Sequence, residues 1–227
     1  MPEFNLSPLL VSLKTAIAST FLTSIIAIAL AWITSRRKTR LKGLLDAILT
    51  LPLVLPPTVV GFVLLLIFGK NGPIGKVLND IGIKVIFSWP ATVLAASVIV
   101  FPLIYKTACG AFEQIDRNVI NAARTLGASE WRIFWKIAIP LARPGIAAGT
   151  VLAFTRALGE FGATLMIAGN IPGKTQTIPI AIYFESQGGD TKQALLWVMI
   201  IFIISLSTIL LMNRWTKTGR NTFSFGG

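Results

Sequence analysis

The chain of 227 residues contains no histidine and a single cysteine, Cys109. A disulfide framework, a histidine-ligated metal site and a serine–histidine catalytic pair therefore cannot be built from this chain alone. We expect no catalytic residue, no metal site and no cofactor bound by the chain itself. Cys109 is expected to be a small apolar residue on a helix.

Charged residues are also scarce. Only 13% of the residues are Asp, Glu, Lys or Arg, compared with about 25% in a soluble domain. Hydrophobic residues make up 54%, and the mean hydropathy is +0.74, so lipid is the expected solvent. The formal net charge of +12 would suggest nucleic acid in a soluble protein, but here the basic residues fall between apolar runs. We therefore expect a lipid bilayer around the chain and no nucleic acid as a partner.

Four charge-free apolar segments along the chain are long enough to cross a bilayer, which needs about 20 residues. A fifth, weaker segment at 137–157 is interrupted by Arg143 and Arg156 but is apolar between 144 and 155. Residues 161–171 are too short to span, and we predict a short helix or hairpin packed against the others. The sequence thus predicts an all-α integral membrane protein, a single domain over 1–227, with five transmembrane helices. The four charge-free segments are 15–35, 47–69, 85–105 and 193–213.

The distribution of Lys and Arg predicts the orientation of these helices, because cytoplasmic loops carry an excess of both. Fourteen of the 21 basic residues fall after the first span, between the third span and the apolar part (144–155) of the weaker one, or after the last span. Six fall in the alternate segments. We therefore predict the N-terminus outside and the C-terminus in the cytoplasm. The fourteen are Arg36, Arg37, Lys38, Arg40, Lys42, Lys106, Arg117, Arg124, Arg132, Lys136, Arg143, Arg214, Lys217 and Arg220.

The stretch "GNIPGKT" from Gly169 to Thr175 ends like a glycine-rich phosphate-binding loop. Such a loop needs four residues between its glycines so that successive backbone N–H groups surround the phosphates. Here three residues separate Gly169 from Gly173, and one of them, Pro172, has no N–H. The predicted topology also places Lys174 outside, away from cytoplasmic ATP. We expect an outer turn and no ATP site.

The predicted cytoplasmic segment 107–136 has an unusual pattern for a connector. Small residues at Ala122 and Ala123 begin a helical patch, Gly127 allows a sharp turn, and aromatic residues such as Trp131 give a second segment an apolar face. This helix-turn-helix either simply links two spans or presents small exposed residues that dock in a groove of another protein.

The segment resembles the EAA loop of the membrane subunits of ABC importers, E-A-A-x-x-x-G followed nine residues later by I-x-L-P. The departures are Asn121 in place of the acidic residue and Ile139 in place of leucine, so shape and apolar contact are expected to dominate the docking. The resemblance implies a coupling helix that sits in a groove of a separate ATPase subunit, which uses the ATP. The positions that occupy the register of this motif are Asn121, Ala122, Ala123, Gly127, Ile137, Ile139 and Pro140.

A wider resemblance covers nearly the whole chain. The segments "LPLVLPPTVVGFVLL", "ARTLGASEWRIF", "TRALGEFGATLMIAGNIPGKTQTIP" and "QGGD" are similar to molybdate ABC transporter permeases. Sulfate and tungstate permeases have similar "LGEFG" segments, so the oxyanion stays open among these. The resemblance implies a type I ABC importer permease in a bacterial-type inner membrane. Its partners would be a second permease copy, two ATPase subunits and an external oxyanion-binding protein.

Candidate pathway residues lie in two spans. Arg156 and Glu160 are four residues apart, which places them on one helix face if the helix continues. Such charges form either a structural ion pair or a gate beside the oxyanion path, and the hydroxyl of Thr155 lies beside them. In the second span, Pro56 and Pro57 predict a kink that lines the pathway.

Two other classes of function are less well supported. A secondary transporter that works without ATP would be expected to contain inverted repeats and intramembrane acids for ion coupling, but no internal repeat is evident. Apart from acids at the ends of spans, Glu160 is the one acid near a span centre or edge. A membrane enzyme would need a nucleophile–base pair or a metal cluster, and neither is evident in the sequence.

Overall fold

The computed structural model describes residues 5–36 and 40–220, and these residues form α-helices without a β-strand. Of the basic residues used to predict orientation, Arg37 and Lys38 lie outside the described residues, as do the side chains of Arg40 and of residues 213–220. The helices are α1 Ser7–Ser35, α2 Arg40–Val54, α3 Pro57–Phe68, α4 Pro73–Asp80, α5 Trp89–Glu113, α6 Arg117–Thr125, α7 Glu130–Ile133, α8 Ile139–Leu158, α9 Gly162–Ala168, α10 Ile178–Gln187 and α11 Thr191–Arg220.

Helices α1 and α5 form the centre of the bundle and run parallel to each other. Near the start of both helices the hydroxyl oxygens of Thr15 and Thr92 are 2.9 Å apart, and near their ends Thr34 Oγ1 lies 3.6 Å from Cys109 Sγ. Buried alanines from both helices fill the contact, and small residues let helices in a membrane approach closely. Cys109 is buried on α5, as predicted.

Helix α8 packs antiparallel against α5 through two glycines. A Cβ atom on Gly149 would lie 1.8 Å from the Thr107 hydroxyl oxygen, and one on Gly145 would lie 2.7 Å from the Ala111 methyl carbon. Glycine is therefore required for this close approach.

The predicted span 47–69 is not one continuous helix. It is two helices, α2 and α3, which meet at Leu55 and Pro56 and are bent by 111°. Proline removes a backbone donor and disfavours the helical conformation of the residue before it. The kink that we predicted at Pro56 and Pro57 is therefore a sharp corner between two helices.

The predicted span 137–157 lies within a longer helical run over 130–158. The run consists of α7, a π-helical turn at Phe134–Ala138, and α8. Pro140 and Pro144 cannot donate backbone hydrogen bonds, and the wider π turn ends two residues before Pro140. Within the described residues, four continuous helical runs are long and apolar enough to cross a membrane: Ser7–Ser35, Trp89–Glu113, Glu130–Leu158 and Thr191–Met212.

The two ends of the bundle differ in composition. One end, here termed the basic end, holds Arg36, Lys42 and residues 114–129, and Lys42 Nζ lies 2.7 Å from Glu113 Oε1 there. At the opposite end the N–H of Ile178 donates to Ser12 Oγ at 2.8 Å, which places α10 beside the start of α1. The predicted short helix within 161–171 is α9, whose Ala163 and Ile167 are buried against α3.

Candidate functional site

Helix α6 and the turn after it form the first arm of a loop at the basic end. The side chain of Asp116 accepts a hydrogen bond from the Asn118 N–H at 2.8 Å and caps the start of α6. At the other end the N–H of Gly127 donates to the Arg124 carbonyl and the N–H of Ala128 donates to the Ala123 carbonyl. This pair of bonds is a Schellman motif, and the φ of Gly127 is +78°. The sharp turn predicted at Gly127 is confirmed.

An acidic side chain joins both arms of this loop, α6 and α7, to the end of α1. Glu130, the first residue of α7, accepts from Arg124 Nε at 2.8 Å and also from Arg36 Nη1 at the end of α1. A single exposed ion pair contributes little stability, but one carboxylate shared by two arginines restricts the position of three segments at once. The loop is thereby held at a fixed angle to α1.

The small residues of the loop do not share one environment. Ala123 is 9% exposed and packs with Ile120 and Ile133 in a small core under the loop. Ala122 is exposed, and the neighbouring Leu126 is 87% exposed. The prediction that both alanines are exposed is therefore wrong for Ala123, because a helix of nine residues buries one face and exposes the other.

The remaining predicted loop residues lie along the same structure. Asn121 is exposed, and its side-chain oxygen accepts from Arg124 Nη1 at 3.1 Å. Ile137 is half-buried against the core under the loop, whereas Pro140 is exposed in the first turn of α8. Of the predicted segment 107–136, residues 107–113 complete α5 and residues 130–136 begin the next helical run.

The predicted charge pair forms at the opposite end of the bundle. Arg156 Nη1 lies 2.7 Å from Glu160 Oε2, and Glu160 is 2% exposed. Helix α8 ends at Leu158, so the two side chains meet across the end of the helix and do not share a continuing face. Glu160 Oε1 also accepts the N–H of Ala163 at 2.9 Å. The carboxylate therefore links the end of α8 to the first turn of α9.

The other predicted pathway residues lie near this pair or within its helix. A Cβ atom on Gly162 would lie 3.2 Å from the Pro57 side chain, so the corner after Pro56 rests against the start of α9. Thr155 Oγ1 bonds to the carbonyl oxygens of its own helix, at 2.9 Å for the nearer one. The structure thus brings the proline corner and the Arg156–Glu160 pair to one end of the bundle.

A polar contact between α2 and α5 was missed by sequence reasoning. The Tyr105 hydroxyl is buried on α5 and donates to the carboxylate of Asp46 on α2, and it lies 2.9 Å from Thr34 Oγ1 on α1. Asp46 is the one acid in α2 and directly precedes its apolar part, and an acid at that place needs a partner. That isolated carboxylate was the available signal.

The "GNIPGKT" stretch is a self-contained turn. The Thr175 hydroxyl accepts the N–H of Ile171 at 3.0 Å and lies 3.2 Å from the Gly169 carbonyl oxygen, and Thr175 is fully buried. Gly169 and Gly173 have φ values of +67° and +73°. The prediction of a turn is confirmed, and the hydroxyl is bonded internally.

Curated relatives are similar to this chain over nearly its whole length. It is 46% identical over 217 residues to the molybdenum transport system permease protein ModB of Escherichia coli strain K12, covering 94% of this chain and 93% of the relative. It is 42% identical to ModB of Haemophilus influenzae, with 93% of each chain covered. It is 44% identical to the putative molybdenum transport system permease protein YvgM of Bacillus subtilis strain 168, with 92% of each covered.

Solved structures share the fold at lower identity. A bacterial ABC transporter for import of the acidic polysaccharide alginate matches with a TM-score of 0.79 at 16% identity, over 96% of this chain and 80% of the other. The inward-facing MetNI methionine ABC transporter matches with a TM-score of 0.72 at 17% identity, over 96% of this chain and 99% of the other.

A family model agrees with the resemblance predicted from the loop. The model for the binding-protein-dependent transport system inner membrane component matches residues 23–213. That range contains the loop at the basic end, the proline corner and the Arg156–Glu160 pair. The chain belongs to this family of membrane-spanning ABC importer permeases.

Proposed function

We propose that this chain is the permease subunit of an ATP-driven importer that carries molybdate across the membrane. The observation that supports the cargo most strongly is the 46% identity to a molybdenum transport permease over more than 90% of both chains. A probable sulfate transport permease of Chlorokybus atmophyticus is 34% identical and is covered over 73% of its length. The sulfate alternative is therefore the weaker one.

We propose five crossings, with the N-terminus outside and the C-terminus in the cytoplasm of a bacterial-type inner membrane. Helices α1 and α5 pack in parallel, so the chain must cross the membrane back once between them. The bent pair α2 and α3 together would make that one crossing. The basic end then faces the cytoplasm, in agreement with the excess of Lys and Arg there. Residues 1–227 form one permease domain that contains the coupling segment 107–136.

The loop at the basic end is the proposed docking site for a separate ATPase subunit. Its outward face carries Ala122, Leu126 and Gly127, and Trp131, which is 71% exposed, adds an apolar surface. An apolar knob of this kind fits a groove without needing an ion pair, which agrees with Asn121 in place of an acid. ATP is bound and hydrolysed by the partner, and this chain has no catalytic role.

The transport pathway is proposed to form between two copies of the chain. An external oxyanion-binding protein would deliver the cargo at the end that carries α9, α10 and the turn at Gly173. ATP binding would draw the two ATPase subunits together and move both docking loops. The corner at Pro56 and Pro57 separates α2, which packs on α5, from α3, which packs on α9, so the two halves of this span can move differently. The Arg156–Glu160 pair would hold α8 to α9 during that movement.

The cargo is tested by uptake of labelled molybdate into vesicles that contain the permease, its ATPase and the binding protein. We expect unlabelled molybdate and tungstate to compete more effectively than sulfate at equal concentration. If unlabelled sulfate inhibits uptake as strongly as unlabelled molybdate does, the proposed preference for molybdate would be contradicted.

A further inference from the structure

A polar cavity of about 480 Å³ lies at the basic end, between α1, α2, α5 and α6. It is separate from the outward face of the docking loop and from the proposed pathway. The residues that matter for its chemistry are Trp32, Arg36, Lys42, Glu113, Arg117 and Arg124.

Four cationic side chains line this cavity, but their carboxylate partners are fewer. Arg36 and Arg124 share Glu130, and Lys42 pairs with Glu113. Among the described residues Arg117 forms no ion pair. Glu113 is the one acidic residue among those that line the cavity, so the lining residues carry a net positive charge.

Hydrogen-bond donors are also left over. The Arg36 guanidinium lies over the Trp32 ring, 4.0 Å from its centroid, which holds the planar group in one orientation. Its Nη2 atom is buried and has no hydrogen-bond partner within the described part of the chain. A buried donor without a partner is costly, and an oriented guanidinium matches the oxygens of a phosphate group.

We propose that this cavity binds a phosphate group, with the headgroup of an anionic phospholipid as its source. Exposed apolar side chains lie on the same helix faces as its cationic residues, with Ile33 one turn before Arg36 on α1 and Leu45 one turn after Lys42 on α2. These side chains offer a surface along which acyl chains can lie while the phosphate contacts Arg36 and Arg117. Basic pockets between transmembrane helices at the cytoplasmic side favour anionic headgroups for the same reason. Free inorganic phosphate shares the chemistry but would not use this apolar surface.

The test compares Arg117→Gln with Arg132→Gln in the full permease complex. Both remove one exposed cation near the basic end, but Arg132 does not line the cavity. Each complex is reconstituted in nanodiscs of phosphatidylcholine alone or with phosphatidylglycerol. Retained phosphatidylglycerol is then measured by mass spectrometry after detergent exchange. A second arm titrates inorganic phosphate into phosphatidylcholine nanodiscs and follows thermal unfolding.

We expect the unmodified complex and Arg132→Gln to retain phosphatidylglycerol, and Arg117→Gln to retain about tenfold less, because one charged hydrogen-bond donor is lost. Lys42→Gln provides a second variant with the same expected loss. Stabilisation by inorganic phosphate that is lost in Arg117→Gln, without selective lipid retention, would support a phosphate site but assign it to the free anion. Equal lipid retention by all variants together with no response to phosphate would overturn the proposal.

Discussion

Arg156 and Glu160 meet across the end of α8, with 2.7 Å between the guanidinium nitrogen and the carboxylate oxygen. The carboxylate is buried while the arginine side chain is 38% exposed. Because Glu160 also accepts the N–H of Ala163, the ion pair fixes the turn between α8 and α9. This contact gives the charges in "RALGE" a structural role whether or not the pair also gates the pathway.

Removing the charge of Glu160 is expected to destabilise the protein. Glu160→Gln can still accept the Ala163 N–H but leaves Arg156 without its partner, at a cost of about 1–3 kcal/mol. Thermal unfolding of the purified protein would measure this loss. Asp80→Asn, which neutralises an exposed acid on α4, is the control and should have little effect. The double variant with Arg156→Gln should lose less than the two single changes added together, because no charge is left unpaired.

The docking surface is tested by two neighbouring alanines. Ala122→Trp should leave the fold intact and reduce co-purification of the ATPase, because Ala122 is exposed on the proposed contact face. Ala123→Trp should also lower the unfolding temperature, because it overfills the core beside Ile133. Ala47→Trp, at an exposed alanine on α2, controls for added bulk. Normal ATPase binding by Ala122→Trp would show that this face is not the contact.

Two glycines with the same backbone conformation allow a matched test of the turn. Gly127 and Gly82 both have a φ of +78° and open space around the Cβ position, but they lie at opposite ends of the bundle. Valine at either position costs about 1 kcal/mol or more of backbone strain. ATP turnover by the reconstituted complex should fall in Gly127→Val and persist in Gly82→Val. An equal effect of both substitutions would mean that the loss reflects general stability.

Topology is accessible to cysteine labelling, because the one native cysteine is buried. A membrane-impermeant maleimide should label Arg132→Cys from the cytoplasmic side and Lys174→Cys from outside. Both positions are exposed, so failure to react would report the side of the membrane and not burial. Labelling of the two cysteines from the same side would contradict the proposed crossings.

Local signals in the sequence predicted several features that depend on few residues. The turn at Gly127 follows from one glycine after a short capped helix, and the charge pair follows from the spacing of Arg156 and Glu160. Both features involve residues within a few positions of each other, where backbone geometry limits the alternatives. The approximate positions of the spans follow from the lengths of the apolar runs.

Features set by distant contacts could not be predicted in the same way. Prolines marked the position of the break after α2, but its 111° angle also depends on α3 packing against α9, where a Cβ on Gly61 would lie 2.7 Å from the Ala163 Cα. The burial of Ala123 depends on Ile133 from another helix. The partner of Asp46 is 59 positions away along the chain, so periodicity contains no information about it.

The central claim is that this chain moves its cargo with energy from a separate ATPase. The most direct measurement is uptake of labelled molybdate into vesicles with the permease, the ATPase and the binding protein, each omitted in turn, with ATP or an imposed ion gradient. We predict uptake only when all three proteins and ATP are present, and ATP hydrolysis by the assembled complex that Lys174→Ala leaves largely unchanged. Uptake by the permease alone, driven by an ion gradient without ATP, would contradict the account.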